Sequence, residues 1–502
     1  MCIAKRIYLL LLLLAIVSTL VMARIALSQP PLILLDNLSR EVFRKFDLPN
    51  ALPDKDLQLS SIQNNAVIPN NFLYPVVEWQ GSEKDHDAFL VNVKSRSQEL
   101  NVLLKKNGWQ PEGSDFEKFL KDKEVWISIY RLYQEKTYRS SPVRLSISER
   151  PLKDRIAFRV VQPLFKPMLP NSIKIFSFHQ KPLSTLMEFE GTCVGCHDYS
   201  SQSAFFNIKT AVGRRLATTK WQGQGFQPNL QDIGEFSFIT ISPDGQHAAF
   251  AINLTGKLKL NQTSIEPFEY PYESGDIGYY DAKRNSVVPL SGASDPNFVE
   301  DMPFFSPDGK YLLFSRYQYG VKDGMRGIPS MDLYKVPFNG GSGGKPIPIT
   351  KASANNMYQY FPRYSPNGKW LSFCRGDGFQ GIYARKTSDI FLLSVNGNTV
   401  TKLNLNKENV MDSWHDWSSD SHWLIFSSNR EKNNLTSLYL AYIDDRGKDY
   451  PPVKLVGYES LKINTPQFVP ENLNLEGAKD LKDYINSVFP APKKKPKRFF
   501  IF

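Results

Sequence analysis

The stretch Phe238-Ile-Thr-Ile-Ser-Pro-Asp-Gly-Gln-His-Ala-Ala-Phe250 places a polar turn between two apolar segments. Within the turn, proline restricts φ at the first position, aspartate suits the next position, and glycine supplies a left-handed conformation. Apolar β-forming residues on both sides of such a turn are typical of a tight β-hairpin. We therefore predict a hairpin over residues 238–250.

The hairpin pattern occurs three more times in the C-terminal half of the chain. The serines that open the four turns are 64, 59 and 53 residues apart, and the fourth copy has serine in place of proline and glycine. Strand-like segments follow each hairpin, so each repeat is expected to contribute four strands, the number in one blade of a β-propeller. The later copies are Met302-Pro-Phe-Phe-Ser-Pro-Asp-Gly-Lys-Tyr-Leu-Leu-Phe314, Phe361-Pro-Arg-Tyr-Ser-Pro-Asn-Gly-Lys-Trp-Leu-Ser-Phe373 and Trp414-His-Asp-Trp-Ser-Ser-Asp-Ser-His-Trp-Leu-Ile-Phe426.

These repeats resemble the TolB-like β-propeller repeats of bacteria, in which Ser-Pro-Asp-Gly-Lys precedes an apolar strand. The resemblance covers residues 236–470 and implies a mainly β fold. The piece Asn464-Thr-Pro-Gln-Phe-Val-Pro470 resembles the opening of one more repeat. We expect it to pair with strand-like residues Phe205–Thr219 and to close a ring of five blades, with six blades as the alternative. An open β-solenoid built from the same repeats is a further alternative.

The net charge of +11 is concentrated at the two ends of the chain, which carry +8 of it. The rest of the chain is close to neutral, so a general nucleic-acid-binding surface is not expected. The basic and aromatic tail could contact anionic lipid or an acidic partner, or it could be a frayed terminus. The basic residues at the ends are Lys5, Arg6, Arg24, Lys493, Lys494, Lys495, Lys497 and Arg498.

Residues 1–28 have the layout of an export signal, with a basic start, an apolar run over Ile7–Ala23, and a candidate cleavage site at Ala26-Leu27-Ser28. The alternative is an uncleaved inner-membrane anchor. As a helix, the 17-residue run would span about 25 Å, against a hydrocarbon core of roughly 30 Å. Both interpretations place the rest of the protein in the periplasm or in another exported compartment.

The sequence Cys193-Val-Gly-Cys196-His197 is the attachment signature of c-type haem. Two thiols three positions apart on one turn can form thioethers to the two vinyl groups of one porphyrin, and the adjacent imidazole becomes the proximal iron ligand. We therefore predict one covalent haem c, held by Cys193 and Cys196, with its iron bound by His197. A structural Cys193–Cys196 disulfide, a thioredoxin-type redox pair and a zinc site are the alternatives.

A sixth iron ligand is not evident, because no methionine lies between His197 and Met302. In the second and third repeats, the residue three positions before the marker serine is proline, whereas in the fourth it is His415. This break in the repeat suggests a function, and His415 is our tentative distal ligand. An ordinary hydrogen-bonded histidine is the alternative. Upstream candidates are Met168, His179 and Met187.

Five segments are expected along the chain. They are the signal or anchor (1–28), a small α+β or β-sandwich domain (29–190), a haem-binding segment with the first propeller strands (191–235), the repeats (236–470), and a C-terminal helix with the tail (471–502). The residues Ile156–Pro163, Ile173–Ser177 and Cys193–His197 resemble a group of exported bacterial proteins that join a Cys-x-x-Cys-His motif to a TolB-like propeller. The haem-and-propeller plan of the hydrazine synthase alpha subunit is a more distant resemblance, although this chain has only one haem motif.

These observations predict an exported monohaem protein whose task is periplasmic electron transfer to a redox partner protein. The first alternative is a non-enzymatic propeller that binds a protein or a glycan, with Cys193 and Cys196 joined in a disulfide. The second is a haem enzyme that acts on a small molecule at an open iron position.

Overall fold

The computed structural model describes most of the chain beyond residue 29. The described residues are 30–81, 88–161, 171–179, 183–189, 193–210, 213–221, 226–232, 236–255, 272–281, 286–318, 320–322, 325–327, 330–350, 357–377, 385–431, 435–456, 462–473, 475 and 483. The predicted signal or anchor lies outside them, as does nearly all of the predicted C-terminal helix and tail. Within the described residues, no helix is long and apolar enough to span a bilayer.

The chain forms two compact units, of which the first comprises residues up to Asn64, Val77–Trp109 and Glu117–Ile147. The main sheet of this unit has the strand order β1-β7-β6-β9-β10-β2, with β11 beside β9, and β3, β5 and β8 form a small second sheet. The first eleven strands are β1 (Leu32–Leu34), β2 (Leu52–Pro53), β3 (Gln58–Leu59), β4 (Ala66–Pro69), β5 (Val77–Gln80), β6 (Ala88–Ser95), β7 (Glu99–Leu104), β8 (Gly108–Trp109), β9 (Glu124–Tyr133), β10 (Lys136–Arg139) and β11 (Val143–Ser148). The helices are α1 (Arg40–Arg44), α2 (Gly113–Glu117) and a 3-10 turn over Lys118–Lys121.

The second unit comprises Asn65–Val76, Gln110–Phe116 and everything from Ser148 onward. It therefore includes the strands of residues 155–189, which we had expected to belong to the N-terminal domain. Its first two sheets have four strands each and are named sheet 1 and sheet 2. Sheet 1 contains β12 (Arg155–Val161), β13 (Asn171–Phe176), β14 (Leu183–Phe189) and the last strand of the chain, β37 (Lys462–Val469); sheet 2 contains β15 (Cys193–Tyr199), β16 (Ser203–Thr210), β17 (Gly213–Trp221) and β18 (Phe226–Asp232).

Four more sheets with four strands each follow along the chain. Sheet 3 contains β19 (Ser237–Ile241), β20 (His247–Thr255), β21 (Ser274–Asp281) and β22 (Ser286–Pro289); sheet 4 contains β23 (Val299–Phe305), β24 (Tyr311–Tyr317), β27 (Asp332–Pro337) and β28 (Ile347–Pro348); sheet 5 contains β29 (Tyr358–Tyr364), β30 (Trp370–Gly376), β31 (Asp389–Ser394) and β32 (Thr399–Lys402); and sheet 6 contains β33 (Asp412–Trp417), β34 (Trp423–Ser428), β35 (Ser437–Tyr442) and β36 (Val453–Val456). A single parallel bridge joins sheets 3 and 4, and β25 (Gly320–Lys322) pairs with β26 (Met325–Gly327) in a separate hairpin.

One edge strand of each sheet packs against the equivalent strand of the next sheet. The contacts run from β37 to β15, β19, β23, β29 and β33, and from β33 back to β37. This closed circuit makes the second unit a β-propeller. An open solenoid is therefore excluded, because its terminal sheets would not meet.

The predicted partner of the last strand is wrong. β37 pairs antiparallel with β12, from Arg155 opposite Val469 to Val161 opposite Lys462. The segment Phe205–Thr219 instead lies in β16 and β17, which pair with each other. Sheet 1 therefore contains strands from both ends of the propeller, and the described residues of the second unit form six four-stranded sheets.

The four predicted hairpins are confirmed, and the marker serine has a defined role in each turn. The hydroxyl of Ser365 donates to Asn367 Oδ1 at 2.8 Å and accepts the backbone N–H of Trp370 at 3.1 Å. Gly368 has φ +70°, as the turn requires. In the fourth copy Ser421 adopts φ +65° in the glycine position, and its hydroxyl accepts the N–H of Asn367 at 3.0 Å.

Replacement of Gly368 by alanine tests the turn by itself, because a Cβ at this position would meet no heavy atom within 4 Å. Only the left-handed φ opposes the new side chain, so we expect Gly368→Ala to lower the free energy of unfolding by about 1 kcal/mol. Gly108→Ala is the control, since its φ lies outside the left-handed range. Urea unfolding of both variants measures the change in the free energy of unfolding. Equal stability of Gly368→Ala and wild type would show that the left-handed φ does not strain an alanine at this position.

The first strand of every repeat also contains a β-bulge just before the turn. The residue four positions before the marker serine has a positive φ in sheets 3 to 6, and so does Thr465 in β37. A bulge rotates the strand by one residue, so the side chains after it are re-aimed. These residues and their φ angles are Phe238 (48°), Met302 (56°), Phe361 (53°), Trp414 (45°) and Thr465 (48°).

Candidate functional site

The Cys-x-x-Cys-His motif lies on β15, the inner edge strand of sheet 2. Val194 pairs with Ile208 and His197 pairs with Phe206, and the bulge falls between these pairs at Gly195 and Cys196. The motif is therefore extended and bulged, whereas we had expected a turn. Cys196 is half-buried, and the side chain of Cys193 lies outside the described part of the structure.

The imidazole of His197 is the most unusual group of the motif. The residue is only 2% exposed, and neither ring nitrogen has a hydrogen-bond partner of normal geometry in the described part of the chain. Burial, with a smaller effect from the charge of Arg159, lowers the pKa of His197 to about 3, although the side chain of Gln467 opposes the fall. The imidazole is therefore neutral at physiological pH, which is the form that binds a metal ion.

His415 lies in a different interface. Its Nδ1 is 3.5 Å from the sulfur of Cys374 on sheet 5, and Ser413 Oγ is also 3.5 Å from that sulfur. Burial lowers the pKa of His415 to about 3, with Arg363 adding to the fall, and burial raises the pKa of Cys374 to about 12. Cys374 is a buried free thiol.

His415 and His197 have no described contact with each other. His415 faces sheet 5, whereas His197 faces the side chains of sheet 1. The role of His415 as a distal ligand stays a prediction. Of the other candidates, Met187 is 1% exposed within the apolar core shared by sheets 1 and 2, His179 is exposed, and Met168 lies outside the described residues.

The two histidines occupy equivalent positions of the repeat. The segment His197-Asp-Tyr-Ser-Ser-Gln-Ser203 matches His415-Asp-Trp-Ser-Ser-Asp-Ser421, and both segments lead out of an inner strand into a turn. The sequence therefore contains a fifth copy of the hairpin that our repeat analysis missed. Its signal was the order His-Asp-aromatic-Ser-Ser-x-Ser, which it shares with the fourth copy, without the Pro-Asp/Asn-Gly turn of the first three copies.

The aspartates that follow these histidines connect neighbouring sheets. Asp198 Oδ2 accepts the N–H of Ile241 in sheet 3 at 2.7 Å, and Asp416 Oδ2 accepts the N–H of Phe468 in sheet 1 at 2.8 Å. Desolvation raises the pKa of Asp198 to about 6 and that of Asp416 to about 7, while the charge of Arg363 opposes both shifts. Asp198, Asp416 and Arg363 come from sheets 2, 6 and 5, and their charges act on one another. These three side chains therefore surround the axis of the ring.

Aromatic residues at the bulges converge on the same axis. The ring of Phe361 lies 5.6 Å from that of Phe238 and 5.9 Å from that of Trp414, between centroids. These side chains come from sheets 5, 3 and 6, so they meet across the centre of the propeller. Met302 belongs to the same apolar cluster, as expected for a packing role, with its sulfur 3.9 Å from Ser315 Oγ.

Metal-ligand clusters of three or more His, Cys, Asp or Glu side chains do not occur among the residues that the structure describes. A haem iron held by a single protein nitrogen does not require such a cluster. His197 satisfies the donor chemistry of a proximal ligand, since it is neutral and buried, and neither nitrogen has a hydrogen bond of normal geometry within the described residues. The residues of the motif therefore fit a c-type haem by their chemistry, although their backbone is extended.

No protein-family model matches the chain, and no curated protein matches it significantly. Among solved structures, TolB from Acinetobacter baumannii aligns with 12% identity and a TM-score of 0.46, over 83% of this chain and 100% of that one. A protein assigned as TolB from Agrobacterium tumefaciens aligns with 14% identity and a TM-score of 0.35, over 63% and 99%. The periplasmic gluconolactonase PpgL of Pseudomonas aeruginosa aligns with 10% identity and a TM-score of 0.36, over 59% and 82%. At these identities the likeness concerns the fold alone.

Proposed function

We propose that this chain is an exported c-type haem protein that transfers electrons in the periplasm. The observation that carries the proposal is His197, a buried neutral imidazole directly after Cys193-Val-Gly-Cys196. Among the described residues only the side chain of Gln467 acts on its ring, and neither nitrogen has a hydrogen bond of normal geometry there. A buried polar group without a partner costs on the order of 1–3 kcal/mol, and such groups are rare in native proteins. A bond from His197 to iron would remove this cost.

The residues of the motif would share the attachment. Cys193 and Cys196 would each form a thioether, and His197 would supply the proximal nitrogen. Covalent haem supplies a one-electron redox centre whose potential depends on its axial ligands and surroundings. The protein's contribution is to hold His197 neutral and oriented in a desolvated site on a rigid inner strand.

We propose in addition that the six sheets are the blades of a six-bladed TolB-like propeller, closed by β37. A redox partner protein would receive the electron. The N-terminal segment or the basic tail could bring the protein to a membrane surface. The inner-strand contacts around the full circuit and the pairing of β37 with β12 support the six-bladed ring.

The second candidate function is a non-enzymatic propeller that binds a protein or a glycan. It is favoured by the repeat itself, because His415 occupies the position of His197 in a segment that no cysteine pair precedes. A histidine at this position can therefore be a structural feature of the hairpin. In this case Cys193 and Cys196 would form a disulfide.

The haem content of the purified protein separates the two functions. The full chain should be produced in the periplasm of a host with c-type maturation enzymes, and its denatured, reduced form should be examined in pyridine. We expect a c-type haemochrome band at about one haem per chain in the wild type and none in Cys193→Ala/Cys196→Ala. Cys374→Ala, which removes a buried thiol outside the motif, is the matched control and should keep the full band.

Two results of these measurements would contradict the haem proposal. A colourless wild-type protein in which alkylation finds Cys193 and Cys196 only after reduction would overturn the haem proposal and favour the binding scaffold. If haem is attached, His197→Ala should alter the Soret spectrum of the reduced protein, because it removes the proximal ligand. An unchanged spectrum in His197→Ala would exclude His197 from the iron.

A further inference from the structure

The repeat provides an internal comparison between two equivalent interfaces. Between sheets 5 and 6, Trp417 Nε1 donates to Ser372 Oγ at 2.8 Å, and His415 Nδ1 lies 3.5 Å from Cys374. Tyr199 and His197 hold the same repeat positions as Trp417 and His415, but they face sheet 1. Trp417 and His415 of sheet 6 thus have partners on sheet 5. Equivalent partners for Tyr199 and His197 of sheet 2 are not found among the described residues.

Between sheets 1 and 2, several buried polar atoms have no hydrogen-bond partner among the described residues. They are both ring nitrogens of His197, the hydroxyl oxygen of Tyr199, Oε1 of Gln467 and Nε of Arg155. His197, Tyr199 and Gln467 are each at least nine-tenths buried, and the rings of His197 and Tyr199 are 5.4 Å apart. These atoms come from β15, β37 and β12, so they lie in one interface.

The charge of this interface indicates what would complete it. The guanidinium of Arg155 acts on Tyr199, and that of Arg159 acts on His197. Asp198 also acts on Tyr199 but accepts the N–H of Ile241 in sheet 3, and Glu471 acts on Arg155 from an exposed position. The guanidiniums of Arg155 and Arg159 and the hydroxyl of Tyr199 supply hydrogen-bond donors, which suit a carboxylate.

We propose that Tyr199 and Arg155 form a carboxylate-binding site between sheets 1 and 2. Tyr199 Oη would donate one hydrogen bond, and Arg155 would donate a second from Nε, while its Nη2 continues to bond Leu473 O at 2.5 Å. The carboxylate has two sources. It is a propionate of the attached haem, which rests on the proposed function, or it belongs to a free small organic acid.

Tyr199→Phe tests the site sharply, because it removes only an oxygen for which the described residues provide no hydrogen-bond partner. An unpartnered buried hydroxyl is destabilising, so its removal from an empty interface would raise the melting temperature. If a carboxylate accepts its hydrogen bond, the same change weakens binding. Arg155→Gln tests the cationic partner. Arg375→Gln is the matched control, since Arg375 also has a buried Nε without a partner but stacks on Phe391 in sheet 5.

The experiment measures thermal unfolding of the full chain in sodium acetate against sodium chloride at equal ionic strength and pH 7. In protein made without the maturation enzymes, we expect acetate well above its Kd to raise the melting temperature by about 2 °C. Tyr199→Phe and Arg155→Gln should abolish this rise, and Arg375→Gln should keep it. In haem-loaded protein, absence of the acetate response together with a shifted midpoint potential in Tyr199→Phe would identify a propionate. An acetate response in both forms would identify a free acid.

Two results together would refute the site. Wild-type protein without haem would show no acetate response, and Tyr199→Phe would raise the melting temperature both without haem and, where it can be made, with haem. The acetate measurement on protein made without the maturation enzymes does not depend on haem attachment. A failure of haem attachment would therefore overturn the proposed function and still leave the carboxylate site decided by acetate.

Discussion

A chain that ends at Leu461 is expected to lose cooperative folding of the propeller, because it lacks β37. Sheet 1 would keep only β12, β13 and β14, and β12 would expose an unpaired edge. The contacts of β37 with β33 and β15 would also be lost, so the circuit of inner strands would open.

The size of the effect follows from what β37 buries. Ile463 and Val469 are fully buried and Phe468 is 6% exposed. Each such side chain contributes about 1.5–3 kcal/mol on burial, and the strand also pairs along its length with β12. The total loss, on the order of 5–10 kcal/mol, is as large as the whole stability of many domains. We expect insoluble protein or a melting transition more than about 10 °C lower.

The control is a chain that ends at Leu475. It removes the basic tail but keeps β37 and the apolar side chains of Leu473 and Leu475, which pack in the core shared by sheets 1 and 2. Circular dichroism and calorimetry should find its transition within about 2 °C of wild type. A chain ending at Leu461 that melts like this control would show that β37 does not close the ring.

The turns of the propeller could be predicted from sequence because their chemistry is local. Ser365, Asn367 and Gly368 make their bonds and adopt their φ angles within one turn, so a few letters suffice. The copy at Ser200–Ser203 escaped this reasoning because its turn is shorter. There the N–H of Ser200 donates to the carbonyl of Ser203 at 2.8 Å, without proline or glycine.

The closure of the ring could not be predicted in the same way. β12 and β37 are about 300 residues apart in sequence, and both are apolar strands that many partners would satisfy. The pairing depends on how many complete sheets lie between them. Sheet 2 was not recognised as a repeat, so Phe205–Thr219, which lies within it, was chosen as the partner instead.

The candidate site, too, could be predicted from the sequence only in part. The spacing of Cys193, Cys196 and His197 is visible in the sequence and suggests its chemistry directly. The environment of His197 depends on side chains of β12 and β37 that face it from the other end of the propeller. The interface of Tyr199 with Arg155 depends on the same closure, so no local pattern could have indicated it.

Asp416 is expected to be among the most important single polar side chains for stability. Its carboxylate bonds the N–H of Phe468 and so connects sheet 6 to β37. Asp416→Ala would leave that N–H without its partner. We expect a loss of about 1–3 kcal/mol in the free energy of unfolding, measured by urea denaturation near pH 5, where the carboxyl is protonated and no charge is removed.

The same carboxyl makes stability depend on pH, in a direction that its surroundings determine. Desolvation raises the pKa of Asp416 to about 7, against about 3.9 in an unfolded chain, so the folded protein binds more protons between these values. Its stabilising contribution is full below about pH 4 and is lost as the pH rises through 7, and Asp198 acts in the same direction up to about pH 6. Asp416→Asn keeps an acceptor oxygen but cannot ionise, so its unfolding free energy should fall less steeply between pH 5 and pH 7.5 than that of wild type. Glu408→Gln, at an exposed carboxyl, should follow the wild-type slope. Parallel slopes for Asp416→Asn and wild type would mean that Asp416 is ionised in the folded ring throughout this range.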